Sequence, residues 1–107
     1  MNLNPKKDYM YSNAGNLFFS LGNIDKAIIC HQKSLELNPN NYNSLNLIGL
    51  SLSNKGKNEE AVEYFKRSIA INKKIDSSYD HLGDTLRVLK RYREASEAYN
   101  SSIRVIS

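Results

Sequence analysis

Residues 42–75, YNSLNLIGLSLSNKGKNEEAVEYFKRSIAINKKI, decide the fold. In the first half of this stretch Leu45, Ile48, Gly49 and Leu52 recur at i, i+3, i+4 and i+7, which is one face of an α-helix. In the second half Ala61, Val62, Phe65, Ser68 and Ile69 repeat the same spacing. Between them lies Asn54-Lys55-Gly56-Lys57-Asn58, a run of turn formers. Gly56 suits the left-handed backbone that ends a helix. Asn58 reads as an N-cap, which sets Glu59 and Glu60 at the positive end of the next helix. The stretch is therefore a helical hairpin.

The hairpin recurs on both sides at a spacing of 34 residues. Gly15, Gly49 and Gly83 stand in one column, Ala27, Ala61 and Ala95 in a second, Ser34, Ser68 and Ser102 in a third. Bulky columns keep step: Tyr11, Leu45 and Tyr79; Phe18, Leu52 and Leu86; Leu35, Ile69 and Ile103; Leu37, Ile71 and Val105. Helices are expected at about 9–22, 24–37, 42–55, 58–72, 76–90 and 92–105. The outer hairpins turn at Gly22-Asn23-Ile24-Asp25 and at Lys90-Arg91-Tyr92, the latter without a glycine. Glycine inside a helix costs about 1 kcal/mol relative to alanine, so a whole column of it needs a cause. Close helix crossing is one: the missing Cβ at Gly15 would let a neighbour such as Ala27 approach its backbone.

The residues Tyr11, Ala14-Gly15, Phe18, Ala27, Ser34 and Pro39 resemble the tetratricopeptide repeat, a helix–turn–helix unit of the same period. The resemblance covers residues 8–107. It implies an all-α, right-handed superhelical solenoid of antiparallel hairpins, with units at 8–41, 42–75 and 76–107. The first seven residues read as a leader or as the tail of a preceding repeat, because Leu3-Asn4-Pro5 copies Leu37-Asn38-Pro39. The last unit stops two residues short of the full period, with no capping helix. Three residues depart from the pattern: His31 stands where Phe65 and Tyr99 stand, Asn58 where Ile24 and Tyr92 stand, and Lys73 where Pro39 stands.

In this family the first helix of each hairpin lines a concave groove, and the resemblance assigns its variable positions. They are Tyr9, Ser12, Asn13, Asn16, Phe19 and Ser20 in the first unit and Asn43, Asn46, Leu47, Leu50, Ser53 and Asn54 in the second. In the third they are Ser77, Asp80, His81, Asp84, Arg87 and Val88. Amides both donate and accept hydrogen bonds, so this surface suits an extended peptide backbone. The carboxylate clamp of chaperone-binding members needs Lys and Asn, then Asn, then Lys and Arg. Here those slots hold Ser12, Asn16, Leu47, Ser77 and His81, and only Asn16 matches. The asparagine ladder of O-linked N-acetylglucosamine transferase repeats finds Asn13 and Asn16 but is broken by Leu47, Leu50, His81 and Asp84.

Nothing else in the sequence carries chemistry. Cys30 and His31 are adjacent and so point about 100° apart on a helix, which suits no nucleophile–base pair. His31 lies in a core column and reads as a packed, hydrogen-bonded histidine. Asp80, His81 and Asp84 form a polar edge without the further ligands a metal needs, and no CxxC or HxxxH is present. No phosphate loop or nucleophile elbow occurs. No enzyme activity, cofactor or metal is therefore expected.

The net charge is +4, with 24% charged and 40% hydrophobic residues. Such a mild excess demands neither nucleic acid nor anionic membrane. The basic residues fall mainly on second helices and turns, where a solubilising face is expected; Tyr92 and Tyr99 beside them sit in core columns. A single cysteine leaves no internal disulfide, so an intracellular, cytoplasmic setting is expected. The leading expectation is a protein-interaction module or scaffold that holds a peptide or partner helix in the groove. The alternatives are the repeat segment of a larger enzyme, such as an O-linked N-acetylglucosamine transferase-like protein, and RNA binding through basic convex faces. Tyr99, Ile103, Val105 and Ile106 would leave apolar surface on the uncapped last unit, which predicts self-association there.

Overall fold

The computed structural model describes residues 5–107, so Leu3 and Asn4 of the expected leader lie outside it. Six helices follow in order: α1 (Pro5–Ser20), α2 (Ile24–Leu37), α3 (Tyr42–Asn54), α4 (Asn58–Ile71), α5 (Asp76–Val88) and α6 (Tyr92–Ile106). The expected helices are present, but α1 begins at Pro5 rather than near residue 9. Proline is well placed in a first helical turn, where its missing N–H is not needed and its φ is already set.

Each consecutive pair packs as a hairpin, and each second helix also packs on the first helix of the next hairpin. The first helices α1, α3 and α5 touch their neighbours, whereas among the described residues no Cα atom of α4 comes within 8 Å of one in α2 or α6. The stack is therefore closed on the side of the first helices and splayed on the side of the second. This curvature makes α1, α3 and α5 the inner wall of a body measuring 40 × 27 × 22 Å. The core runs along the middle of the stack: Leu45, Ile48, Val62, Phe65 and Leu86 are its largest fully buried apolar side chains.

The turns are three copies of one geometry. Gly22 and Gly56 have φ 81° and Lys90 has φ 62°. In each turn the next residue's N–H reaches back to a helical carbonyl at 2.8 Å: Asn23 to Phe18, Lys57 to Leu52, Arg91 to Leu86. This is the bond of a left-handed helix end. The third turn lacks glycine and takes the same shape regardless, with Lys90 held in a region disfavoured for residues bearing a Cβ. The cap of α4 corrects an expectation. Lys57, not Asn58, is the cap residue, and no side chain caps it. Asn58 is instead the first helical residue, and its Oδ1 accepts from Ser53 Oγ at 3.1 Å.

The glycine column has a different neighbour from the one expected. A Cβ on Gly15 would lie 2.6 Å from the His31 ring, one on Gly49 2.7 Å from Phe65, and one on Gly83 2.7 Å from Tyr99. The rings of the second helices, not Ala27, occupy the space. His31 therefore serves as a third ring in a column of rings. The serine column is an internal latch: Ser34, Ser68 and Ser102 donate to the carbonyls of Asp8, Tyr42 and Asp76 at 3.0, 3.0 and 3.3 Å. Each latch ties the end of a second helix to the start of its own first helix.

The last unit leaves Ile103 57% exposed, whereas its equivalents Leu35 and Ile69 are half-buried. Tyr92 is 62% exposed. It is not the core residue its column suggests, although Ile24 at the same position is half-buried.

Candidate functional site

Since α1, α3 and α5 stand side by side in a common register, their equivalent residues form rows across the inner wall. One row is Asn13, Leu47 and His81; the next is Asn16, Leu50 and Asp84; a third is Phe19, Ser53 and Arg87. Read from the first unit to the third, the first two rows change from amide to aliphatic to ionic. Asn13, Asn16, Asn43 and Asn54 are exposed, as is Tyr9, while Phe19, Leu47 and Leu50 are half-buried. Asp80 and His81 are half-buried, and Asp84 and Arg87 exposed.

Two residues expected in the groove are instead enclosed. Ser12 is buried at the α1–α3 crossing, where its Oγ lies 3.0 Å from Ser44 Oγ. Asn46 is 8% exposed and its Oδ1 is enclosed without a hydrogen-bond partner. Both follow from the closeness of the first helices, which withdraws the side of each helix facing its neighbour. Ser12 is thereby spent on packing, so the first basic slot of a carboxylate clamp is absent as a surface.

The ionic end is bonded within itself. The Tyr99 hydroxyl donates to Asp84, and this bond, with burial, raises the tyrosine's pKa. Arg87 lies 3.8 Å from the same carboxylate. The His81 ring stands 5.8 Å from that of Phe65, tilted by 31°, so its apolar face continues the core into the groove. No group of three or more His, Cys, Asp or Glu side chains among the described residues could hold a metal ion.

The junction between the first two units is polar. His31 is fully buried, and its Nδ1 lies 2.9 Å from Ser44 Oγ, which also meets Ser12. Its Nε2 is enclosed without a partner, and burial lowers its pKa to about 4. Beside it the Asp8 carboxylate accepts from Asn41 Nδ2 at 3.0 Å and from Asn38 Nδ2 at 3.3 Å. Sequence reasoning overlooked this seam, although a signal existed. Ser44 and Ser78, and likewise Ser51 and Thr85, stand one repeat apart, and all four are buried. Small polar residues let a first helix nest against the preceding unit.

Family models for the tetratricopeptide repeat match residues 9–41 and 32–63. The peroxisomal targeting signal receptor of Kluyveromyces lactis is 29% identical over 83% of this chain and 16% of its own length. The small glutamine-rich tetratricopeptide repeat-containing protein 2 of Mycosarcoma maydis is 32% identical over 85% of this chain and 26% of its own. The chain thus spans about a sixth and a quarter of these relatives. A solved structure, the first TPR of Spaghetti (RPAP3) bound to the HSP90 peptide SRMEEVD, superposes with a TM-score of 0.94. It covers 98% of this chain and 83% of its own at 21% identity, a likeness of fold. Paired hairpins in register, a glycine column under a column of rings and these matches together place the chain in the tetratricopeptide repeat family.

Proposed function

We propose that the chain is a non-catalytic interaction module whose inner wall holds an extended segment of a partner protein. The segment carries an aliphatic side chain at its centre and is not anchored by a carboxyl terminus. The reading rests on one observation: the rows of the inner wall place Leu47 and Leu50 between amides on one side and Asp80 and Asp84 on the other. The aliphatic pair offers apolar area at the middle, the exposed amides can pair with backbone groups, and the third unit disfavours an acidic ligand. Chaperone peptides of the kind bound to the similar fold end in acidic residues. The slots that would neutralise them here hold no lysine or arginine.

The test is a titration of the isotope-labelled chain with two peptides of equal length, one aliphatic-centred with an amidated end, one acidic with a free carboxylate. Shifts on α1, α3 and α5 with the first peptide, weakened at least about tenfold by Leu50→Asp, are expected. Preference for the acidic peptide, or shifts confined to α2, α4 and α6, would overturn the reading.

A further inference from the structure

The three hairpin turns share a backbone shape but not a charge. Between Phe19 and Lys26, Asp25 and Lys26 cancel. Between Ser53 and Glu60, Lys55 and Lys57 balance Glu59 and Glu60. Between Arg87 and Glu94, one glutamate stands against Arg87, Lys90, Arg91 and Arg93, so +3 of the chain's net +4 lies in this turn.

The turns are also linked to one another in a fixed sense. Asp25 of the first pairs with Lys55 of the second, and Glu59 of the second lies 3.5 Å from Arg91 of the third. Asp25 and Glu59 stand one period apart, so the same position supplies the acid and the following turn supplies the base. In the third turn that position holds Arg93. The sign is reversed, and this edge now favours an acidic neighbour where its predecessors take a basic one. The carboxylates close by are engaged already. Glu94 accepts two bonds from Arg91 at 2.6 and 2.9 Å, and Asp84 accepts from Tyr99 with Arg87 3.8 Å away. Lys90 and Arg93 are exposed, and neither forms an ion pair among the described residues.

The third turn breaks local rules that the other two keep. Lys90 takes the left-handed backbone that Gly22 and Gly56 take elsewhere. Arg93 sits in the first turn of α6, where a cation opposes the helix dipole that Asp25 and Glu59 favour in α2 and α4. Val88 and Tyr92, at the two ends of the turn, are 63% and 62% exposed, where the second turn has Asn54 and Asn58. These departures add up to one kind of surface, free cations beside open apolar side chains.

We propose that the third turn is a docking site for an acidic segment of a partner protein that carries an apolar side chain among its carboxylates. The carboxylates meet Lys90 and Arg93, and the apolar side chain covers Tyr92 and Val88. Single-stranded RNA would use the cations and the ring but leave Val88 without a partner, so the surface fits a protein better. The site adjoins the inner wall and is separate from its aliphatic centre at Leu47 and Leu50.

The probe is the peptide acetyl-Ser-Asp-Phe-Glu-Asp-Ser-amide, titrated into the isotope-labelled full chain. Shifts are expected in residues 88–93 and not at Leu47 or Leu50, with affinity falling as salt is added. Arg93→Glu restores the acid of the other turns and should weaken the probe by at least about tenfold. Lys90→Gly should weaken it by about three- to fivefold while the protein unfolds at a higher urea concentration, a split that a purely structural lysine would not produce. Tyr92→Asn, and alanine for phenylalanine in the probe, should each weaken binding by a similar factor. Leu50→Asp should leave it unchanged, which separates this site from the inner wall. The proposal is overturned if the probe does not bind, or if its shifts fall on the inner wall. It is equally overturned if Arg93→Glu and Lys90→Gly both bind as the parent does, if the alanine probe binds as well, or if a uridine oligonucleotide of equal charge binds this turn more tightly.

Discussion

Replacing His31 by phenylalanine should stabilise the protein, and by an amount that grows as the solution is acidified. The histidine occupies a place that Phe65 fills in the second unit, over a glycine with the same clearance. Its Nε2 is enclosed without a partner, a deficit of about 1–3 kcal/mol that an apolar ring does not incur. Against this stands the bond from Nδ1 to Ser44, a net loss of about 1 kcal/mol, softened because Ser44 keeps its bond to Ser12. A gain of about 1 kcal/mol is therefore expected at neutral pH.

The acid arm follows from protonation. In the unfolded chain the histidine takes up a proton near its ordinary pKa of 6.5, but in the fold only near 4. The unfolded state thus binds more protons between those values, so the histidine's contribution is intact above 6.5 and drains away as pH falls through the window. At 1.36 kcal/mol per pKa unit the loss has a ceiling of about 3 kcal/mol at its lower end. Carboxylates titrate in both proteins and cancel in the difference. Urea unfolding of parent and variant, followed by circular dichroism from pH 7.5 to 4, measures it. A stability difference that is flat with pH, or a variant less stable than its parent at pH 7, would refute the reasoning.

Three further outcomes are expected. Lys90→Gly relieves a left-handed residue and should raise stability by about 0.5–1 kcal/mol in the same unfolding assay, part of the relief being offset by the freer unfolded chain. Gly49→Ala forces a Cβ to within 2.7 Å of the fully buried Phe65 ring and should cost about 1–3 kcal/mol in thermal unfolding, despite alanine's better helix propensity. The exposed Ile103 and Ile106 should drive concentration-dependent self-association by light scattering, which Ile103→Glu reduces.

The hairpins were legible because a helix that buries one stripe must repeat its apolar residues every third or fourth position, and every unit here does so. His31 was legible as a packed residue because its column holds Phe65 and Tyr99. The fate of Ser12 and Asn46 was not. Both lie at the margin of the stripe, where a small rotation of the helix decides between groove and seam, and that rotation is set by the neighbouring helix. The ring over each glycine was missed for a related reason. A column of glycines announces a close approach but does not say what approaches, and the ring comes from about two turns into the next helix. Lys90 shows the reverse case. The turn's geometry is imposed by the helices it joins, so an unfavourable residue adopts it without local encouragement.

The two junctions of this stack are made of different materials, and that sets the order in which it comes apart. The first is wired through hydroxyls, amides, one carboxylate and one imidazole; the second closes over Phe65, Leu82 and Leu86. In a chain of units that lean only on their neighbours, partial opening starts at the weakest contact and spreads from there. Mild acid should therefore release α1 and α2 while α3 to α6 stay folded. Amide exchange would then quicken first in residues 5–37, which gives the molecule a defined end from which to unzip.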